Sequence, residues 1–377
     1  MDLRFTEEQD MLRKTARDFL TTECPKAKVR ELEKDEKGYS PAIWDMMAKL
    51  GWMGLIIPEE YEGAGMTFQD LTVLLEEMGR NILPGPFLST MVSAYPIIEV
   101  GTKEQKNGFL RKIANGELIS AFAILEASGT FDPSTVTTRA MPKGDDFVIN
   151  GTKLFVDMAH VADYFICITR TSEGVSPEDG ITLFLLDARS PGICREVIPT
   201  IGINKLYETS FKDVIVPGEN LLGELGKGWP VLMKTLEMGA IAKCAESIGG
   251  MQSCVELTVG YSKNRVQYDR PIAAFQAPQH MMVDMWIATE TSRYLVYEAA
   301  WMKSTGRPCA KEVSMARAYT NESYKYVSKW AVRLHGAVGT TRDHDIQLYY
   351  RMAKAADTVF GNTDFHRELV AQEIGLV

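Results

Sequence analysis

Residues 147–156 read FVINGTKLFV, and the fold class turns on how that decapeptide is understood. Val148, Ile149, Phe155 and Val156 are the β-branched and aromatic types that suit a pleated, half-buried surface. Asn150-Gly151 at the centre is a strong hairpin signal, because a two-residue turn of the favoured kind needs positive φ at both central positions. Similar short runs surround it: LISAFAIL (118–125), DYFICITRT (163–171), ITLFLLDA (181–188) and KDVIVP (212–217). Together they predict a β domain over residues 119–225.

On either side the apolar period lengthens. Thr6 followed by Gln9 makes a capping-box start, and Met11, Leu12, Ala16, Phe19 and Leu20 then fall on one helical stripe. A second stripe runs through Ile43, Met46, Met47 and Leu50, with Pro58, Gly63, Gly65, Pro84 and Pro86 as punctuation. Beyond Trp229 the spacing predicts helices over roughly 229–264, 275–305, 309–335 and 344–358, lengths that suit a bundle. The expected division is a helical domain over 1–118, a β domain over 119–225 and a helical bundle over 226–377, an α+β chain in α–β–α order.

Composition narrows the function classes. With 377 residues the chain can build two or three sub-domains on one large core. A net charge of −9, from 41 basic and 50 acidic side chains, gives no support to nucleic-acid or membrane-surface binding. No apolar run reaches the roughly 18 residues of a spanning helix, and MDLRFTEEQD is not a signal peptide, so a cytoplasmic protein is expected. The six cysteines (24, 167, 194, 244, 254, 309) show no metal-ligand spacing and read as reduced, mostly buried thiols; no metal is expected.

Five ordered stretches sharpen this frame. NRVQYDRPIAAFQAPQHMMVDM (264–285), AILEASGTFDPSTVTT (123–138), INGTKLFV (149–156), FKDVIVPGENLLGELGKGW (211–229) and RLHGAVGTTRDHDIQLYYRMAK (333–354) span the chain in sequence order. Each resembles a segment of the acyl-CoA dehydrogenase family, the first of them that family's Arg-x-x-Phe-Gly-x-x-Ile-x-x-Phe-Gln signature. The resemblance implies a helical N-terminal domain, a β-barrel-like middle domain and a C-terminal four-helix bundle. It also implies FAD, an acyl-CoA substrate and a homodimer or homotetramer, with electrons leaving through an electron-transfer flavoprotein.

Residue by residue, the resemblance carries roles onto this chain. Arg265, with Gln267, Tyr268, Phe275 and Gln276, falls where the family reaches the FAD of a neighbouring subunit; a guanidinium can grip a pyrophosphate with two parallel bonds. Phe155, Val156 and Asp157 stand where relatives have Trp-Ile-Thr along the flavin ring, and an ionised Asp157 cannot donate the hydrogen bond that the threonine gives. Arg333 and Gly336, then Asn362 and Asp364, complete the expected cofactor contacts, Arg333 replacing a glutamine. Ser128, Phe131 and Lys205 fall at positions that grip the CoA thioester, with Phe360 and Gly361 beside them.

One departure bears on the chemistry. α,β-Dehydrogenation needs a base for the α-proton while a hydride passes to the flavin. Most relatives supply it from a Tyr-Glu-Gly-Thr turn, but here the turn reads Val359-Phe360-Gly361-Asn362, and phenylalanine accepts no proton. Other relatives place the base on the first long C-terminal helix, where this chain has Gly239. The remaining candidates are Asp157, Glu237 and Glu246; the two glutamates are nine residues apart, about 900° of helical rotation, and so face opposite sides. Asp343 or Asp345 is expected to cap a helix.

Three functions follow from the resemblance. One is an acyl-CoA dehydrogenase with a relocated base and a bulky, alicyclic or dicarboxylic acyl group. A second is an acyl-CoA oxidoreductase acting away from the α,β position or in the reductive direction. The third is a base-less, FAD-binding subunit that works beside a catalytic sister in a heteromer.

Overall fold

The decapeptide is one uninterrupted strand. The computed structural model describes residues 5–376, and residues 1–4, with which the N-terminal reading began, lie outside the described residues. Within it an eight-stranded sheet is built from β1 (Ser120–Ala123), β2 (Arg139–Lys143), β3 (Asp146–Asp157), β4 (Tyr164–Arg170), β5 (Ile181–Asp187), β6 (Ile193–Ile198), β7 (Leu206–Val216) and β8 (Leu221–Leu222). The strand order is β6-β7-β3-β2-β4-β5-β8, with β1 parallel to β4.

Asn150-Gly151 continues β3 rather than making the expected hairpin, and Lys212 and Asp213 of β7 bulge opposite it. The β3–β7 register slips between Ile149 and Gly151, and Asn150 clasps the neighbouring strand: its Oδ1 accepts from the Asp213 backbone N–H at 2.9 Å. An extra residue in one strand of an antiparallel pair is the definition of a bulge. The chain reverses instead at Gly144-Asp145, between the paired Lys143 and Asp146.

Alternation along β4 and β5 joins the sheet to the helices. Phe165 and Cys167 of β4, with Phe184 and Leu186 of β5, enter a core enclosed by the sheet itself, beside Ile149, Phe211 and Val214. Ile166, Ile168, Leu183 and Leu185 point the other way into a second core shared with both helical regions. A strand buried on both faces reads as a continuous apolar run, as these two do.

The N-terminal helices are α1 (Glu7–Glu23), α2 (Lys26–Lys34), α3 (Pro41–Lys49), α4 (Phe68–Asn81), α5 (Phe87–Val100), α6 (Lys103–Gln105) and α7 (Arg111–Ala114). The Thr6–Gln9 capping box starts α1. After the sheet come α8 (Gly228–Asn264), α9 (Gln276–Ser304), α10 (Ala310–His335), α11 (Ile346–Ala356) and α12 (Thr363–Glu373). The first four pack as a bundle around α8 and α10, and α12 lies on α10. α4 lies backbone to backbone on α8: a Cβ on Gly79 would sit 1.9 Å from the Glu246 carbonyl oxygen. At the start of α11 neither aspartate caps the helix through its side chain. His344 Nδ1 accepts from Ile346 N–H at 3.2 Å, while Asp345 pairs with Arg30.

Five cysteines are buried and Cys194 is exposed; all six are free thiols. Among the described residues no helix is long and apolar enough to cross a membrane.

Candidate active site

A wide cavity of about 2030 Å³, open solvent at its mouth included, lies where the sheet, α5, α8 and the turn between α11 and α12 meet. The loop after β1 contributes Ile124, Leu125, Thr130 and Phe131, and the end of β3 contributes Leu154, Phe155 and Asp157. Leu88 and Ser89 of α5, Lys243 of α8, Ile203 and Asn204 before β7, and Met352 of α11 form further wall. Thr358, Val359, Phe360, Asn362, Asp364, Phe365 and Glu368 close it from the turn and α12.

The turn is held from behind. Arg317 of α10, fully buried, donates to the carbonyls of Ala356 and Val359. His366 Nε2 donates to the Phe360 carbonyl at 2.9 Å, while its Nδ1 takes the Ser314 hydroxyl at 3.3 Å. Burial and the nearby Arg317 charge lower the His366 pKa to about 4, so the ring is neutral near pH 7 and keeps one donor and one acceptor. These contacts fix Phe360 at φ 55°, a left-handed backbone that a non-glycine residue adopts only when its surroundings impose it.

That conformation presses the Phe360 ring onto α8. A Cβ built on Gly239 would lie 2.7 Å from Phe360 Cδ1. Gly239 and Phe360, singled out separately in sequence, are thus in contact: one has no side chain, and the ring of the other fills the space. Neither helical glutamate makes good the absence. Glu237 pairs with Lys303 of α9 at 3.4 Å and lies outside the cavity wall. Glu246 pairs with Lys243 at 2.7 Å and borders smaller clefts between α3, α4 and α5. Both are corrected as candidate bases, because neither acid is on the wall of the wide cavity and each is held by a lysine.

Asp157 is different. It is half-buried on the cavity wall, its Oδ2 meets only Asn204 Nδ2 at 3.4 Å, and Oδ1 is closed off from solvent with no hydrogen-bond partner. Burial pushes its pKa up to about 7; Lys243 pulls it down and Glu246 pushes it up. Asp364 and Glu368, the other acids on the wall, are exposed at the mouth.

The remaining expected residues divide cleanly. Phe131, Phe155, Asn362 and Asp364 border the cavity with Phe360 and Asp157, and Gly361 is buried in the turn behind it. Asn362 also caps α12, its Oδ1 accepting from Phe365 N–H. Val156 is corrected: its side chain enters the sheet's own core, since alternation sends it opposite to Phe155 and Asp157. Ser128 is exposed on the loop after β1, off the cavity wall, and Lys205 runs under Gly38, so neither side chain reaches the cavity.

Arg265, Gln267, Tyr268 and Gln276 are exposed, with Phe275 half-buried, on an arm remote from the cavity lining. There β9 (Val266–Gln267) and β10 (Arg270–Pro271) pair around Tyr268 and Asp269, both at positive φ. Arg333 is exposed and stacks on Trp330, and Gly336 ends α10. Two wall residues, Lys243 and Asn204, were not among those expected. Lys243 stands one helical turn after Gly239, a signal present in the sequence once Gly239 is placed on the wall.

Volume and polar groups suit a flavin bound with a thioester: the space is large and mostly apolar-lined, and Asp157 presents a buried oxygen without a partner. Residues 6–117, 121–214 and 226–375 match the N-terminal, middle and C-terminal domains of acyl-CoA dehydrogenase. The short-chain specific acyl-CoA dehydrogenase of Clostridium acetobutylicum is 32% identical, over 99% of this chain and 100% of that protein. A subunit of the caffeyl-CoA reductase-Etf complex of Acetobacterium woodii is 32% identical over 97% of each. The solved butyryl-CoA dehydrogenase of Megasphaera elsdenii superposes with a TM-score of 0.93 at 29% identity, covering 99% of this chain and 100% of that one. This chain belongs to the acyl-CoA dehydrogenase family, FAD flavoenzymes that oxidise or reduce a CH–CH bond of an acyl-CoA.

Proposed function

We propose that this chain provides the flavin and acyl pockets of an acyl-CoA dehydrogenase for a bulky, largely apolar acyl group, and that the α-proton acceptor comes from a sister subunit. The observation that carries this is the contact of Phe360 with Gly239. Both places from which the family draws its base are apolar here, and Glu237 and Glu246, neither of them on the cavity wall, are each paired with a lysine. The wall around Leu88, Phe122, Phe131, Leu154, Ile203 and Phe360 favours a large alicyclic or branched thioester, by apolar contact. In this reading the domains divide at 1–118, 119–225 and 226–377. FAD is completed by Arg265, Gln267, Tyr268, Phe275 and Gln276 of an adjoining subunit, and an electron-transfer flavoprotein takes the electrons.

A second reading is favoured by Asp157, the one half-buried acid on the wall: the chain works alone with Asp157 as its base. Anaerobic bleaching of the bound flavin at about 450 nm, against linear, branched, alicyclic and dicarboxylic acyl-CoA thioesters, separates the two. The sister-subunit reading expects thioester binding without bleaching by the purified chain, and bleaching once Phe360→Glu supplies an acid. Bleaching by the unaltered chain that disappears in Asp157→Asn would overturn it.

A further inference from the structure

The loop between β1 and β2 is clamped at both ends and free between them. The Leu125 carbonyl accepts from Leu154 N–H at 2.8 Å, and buried Glu126 accepts from the backbone N–H groups of Thr137 and Thr138. On the return limb, buried Arg170 donates to the carbonyls of Pro133 at 2.6 Å and Val136 at 3.2 Å. Between these clamps Ala127, Ser128, Gly129 and Thr130 are exposed. Gly129 has φ 66°, and nothing lies within 4 Å of where its Cβ would stand. The span leads to Phe131, whose ring centroid is 5.4 Å from that of Phe365 on α12. Both rings line the wide cavity at the end where Thr130, Asp364 and Glu368 are exposed. We propose that Phe131 and Phe365 form a gate across this mouth, with Phe131 the moving leaf, and that a bulky acyl-CoA thioester passes only when the two rings part. This rests on the thioester occupying the wide cavity.

The two leaves are held differently. Phe365 is fixed: its ring stands edge-on to His366 at 5.1 Å, and a Cβ on Gly361 would come 2.5 Å from its Cδ1. Its backbone N–H is the one that the Asn362 side chain caps, at 2.8 Å. Phe131 makes no backbone hydrogen bond among the described residues. Beyond it Asp132 stiffens the bend, its Oδ1 accepting from the Ser134 N–H at 2.8 Å and from the Ser134 hydroxyl at 2.7 Å. Movement is thereby confined to residues 127–131, an exposed span with few hydrogen bonds, the kind that opens at low cost. The shape of the ligand gives the gate its use. The pantetheine part of a CoA thioester is a slender chain, whereas an alicyclic head is wider than the gap between two rings in contact. The gate has to open for the head and can close on the chain, so it retains a bulky substrate without a polar contact.

The test is anaerobic stopped-flow mixing of the flavin-loaded protein with cyclohexanecarbonyl-CoA and with acetyl-CoA, followed by the shift of the flavin band. A gate slows entry and exit alike. In Phe131→Ala the association and dissociation rate constants of the cyclohexyl thioester are expected to rise together by roughly three- to tenfold, the factor that an aromatic pair of this geometry contributes. The dissociation constant should move far less than either rate, and the rates for acetyl-CoA should rise less. Phe365→Ala is expected to match Phe131→Ala, with no further gain in the double variant, and Phe131→Tyr to keep the slow rates. Flavin content and circular dichroism check folding; Phe131 is on an exposed tip, so Phe131→Ala decides alone should Phe365→Ala not fold. Faster dissociation without faster association would make Phe131 a simple contact and overturn the gate. Equal acceleration of both thioesters, or no change in either, would overturn it too. A flavin-loaded protein that binds neither thioester would instead fail the reading on which the gate rests.

Discussion

Two carboxylates on the wall behind the cavity have opposite fates. Glu126 is buried between β1 and β3, and Lys153 lies against it at 2.8 Å with its own side chain wholly buried. Glu126 also accepts from the backbone N–H groups of Thr137 and Thr138 and from the Thr137 hydroxyl. Burial raises its pKa, but Lys153 and these donors outweigh burial and bring it down to about 2. Asp157, four residues beyond Lys153 on β3, has no dedicated cation and one long amide contact, and burial pushes it up to about 7. Burial alone therefore does not decide whether an acid is charged; the donors around it do. One carboxylate is held ionised by its partners, and the other has none that hold it so.

The largest effect should come from breaking the satisfied pair. Lys153→Met leaves Glu126 buried without its cation and is expected to destabilise by about 3–5 kcal/mol in denaturant unfolding at pH 7. The sign over pH follows from the lowered Glu126 value: its contribution is present above the unfolded pKa of 4.5 and is lost as pH falls towards about 2. The Lys153→Met deficit should therefore shrink at low pH, and a deficit constant from pH 7 to 3 would contradict the pairing.

Asp157→Asn should act in the opposite sense. A raised acid binds its proton more tightly folded than unfolded, so the natural chain loses stability as pH rises from about 4 to about 7. At 1.36 kcal/mol per unit, the rise from 3.8 to about 7 gives a ceiling of about 4 kcal/mol for what the amide recovers at pH 9. Thermal unfolding of both proteins at pH 5 and pH 9 measures it; an advantage equal at the two pH values would show that Asp157 does not titrate in this range.

Gly239→Ala tests the contact between α8 and the turn before α12. Its Cβ meets the Phe360 ring, and overpacking of this kind costs about 1–3 kcal/mol. Phe360→Ala in the same chain should return most of that loss, and a double-mutant cycle with no coupling would disprove the contact.

How far all this was legible follows from what each feature depends on. The α–β–α order, the capping box at Thr6 and the long C-terminal helices are local in sequence, and periodicity carries them. Asn150-Gly151 looked like a turn by residue type; the strand it pairs with, whose bulge at Asp213 it clasps, is far away in the chain. Phe360 and Gly239 were each visible as departures, but their contact exists only after α8 and the last turn are brought together. Nothing in the sequence singled out Lys153, since the acid that pairs with it lies on the loop after β1. The helical glutamates drew notice for their charge, which says nothing of the lysines that hold them.

The smallest effect on stability should come from a residue with a large effect on flavin. Arg265 is exposed at the end of α8, and its guanidinium makes no hydrogen bond or ion pair among the described residues; only its backbone is engaged, to Tyr261 and Ile272. Surface changes of this sort move stability by about 0.5 kcal/mol or less. Nothing within the subunit accounts for the exposed row of Arg265, Gln267, Tyr268 and Gln276, whereas the buried wall at Asp157 is explained by the cavity it lines. If the row completes the flavin site of an adjoining copy or sister chain, Arg265→Ala should unfold like the natural protein yet purify with much less FAD, read as the ratio of absorbance at about 450 nm to that at 280 nm. Full flavin occupancy in the variant would detach the arm from the cofactor and leave the cavity wall as its sole binding surface.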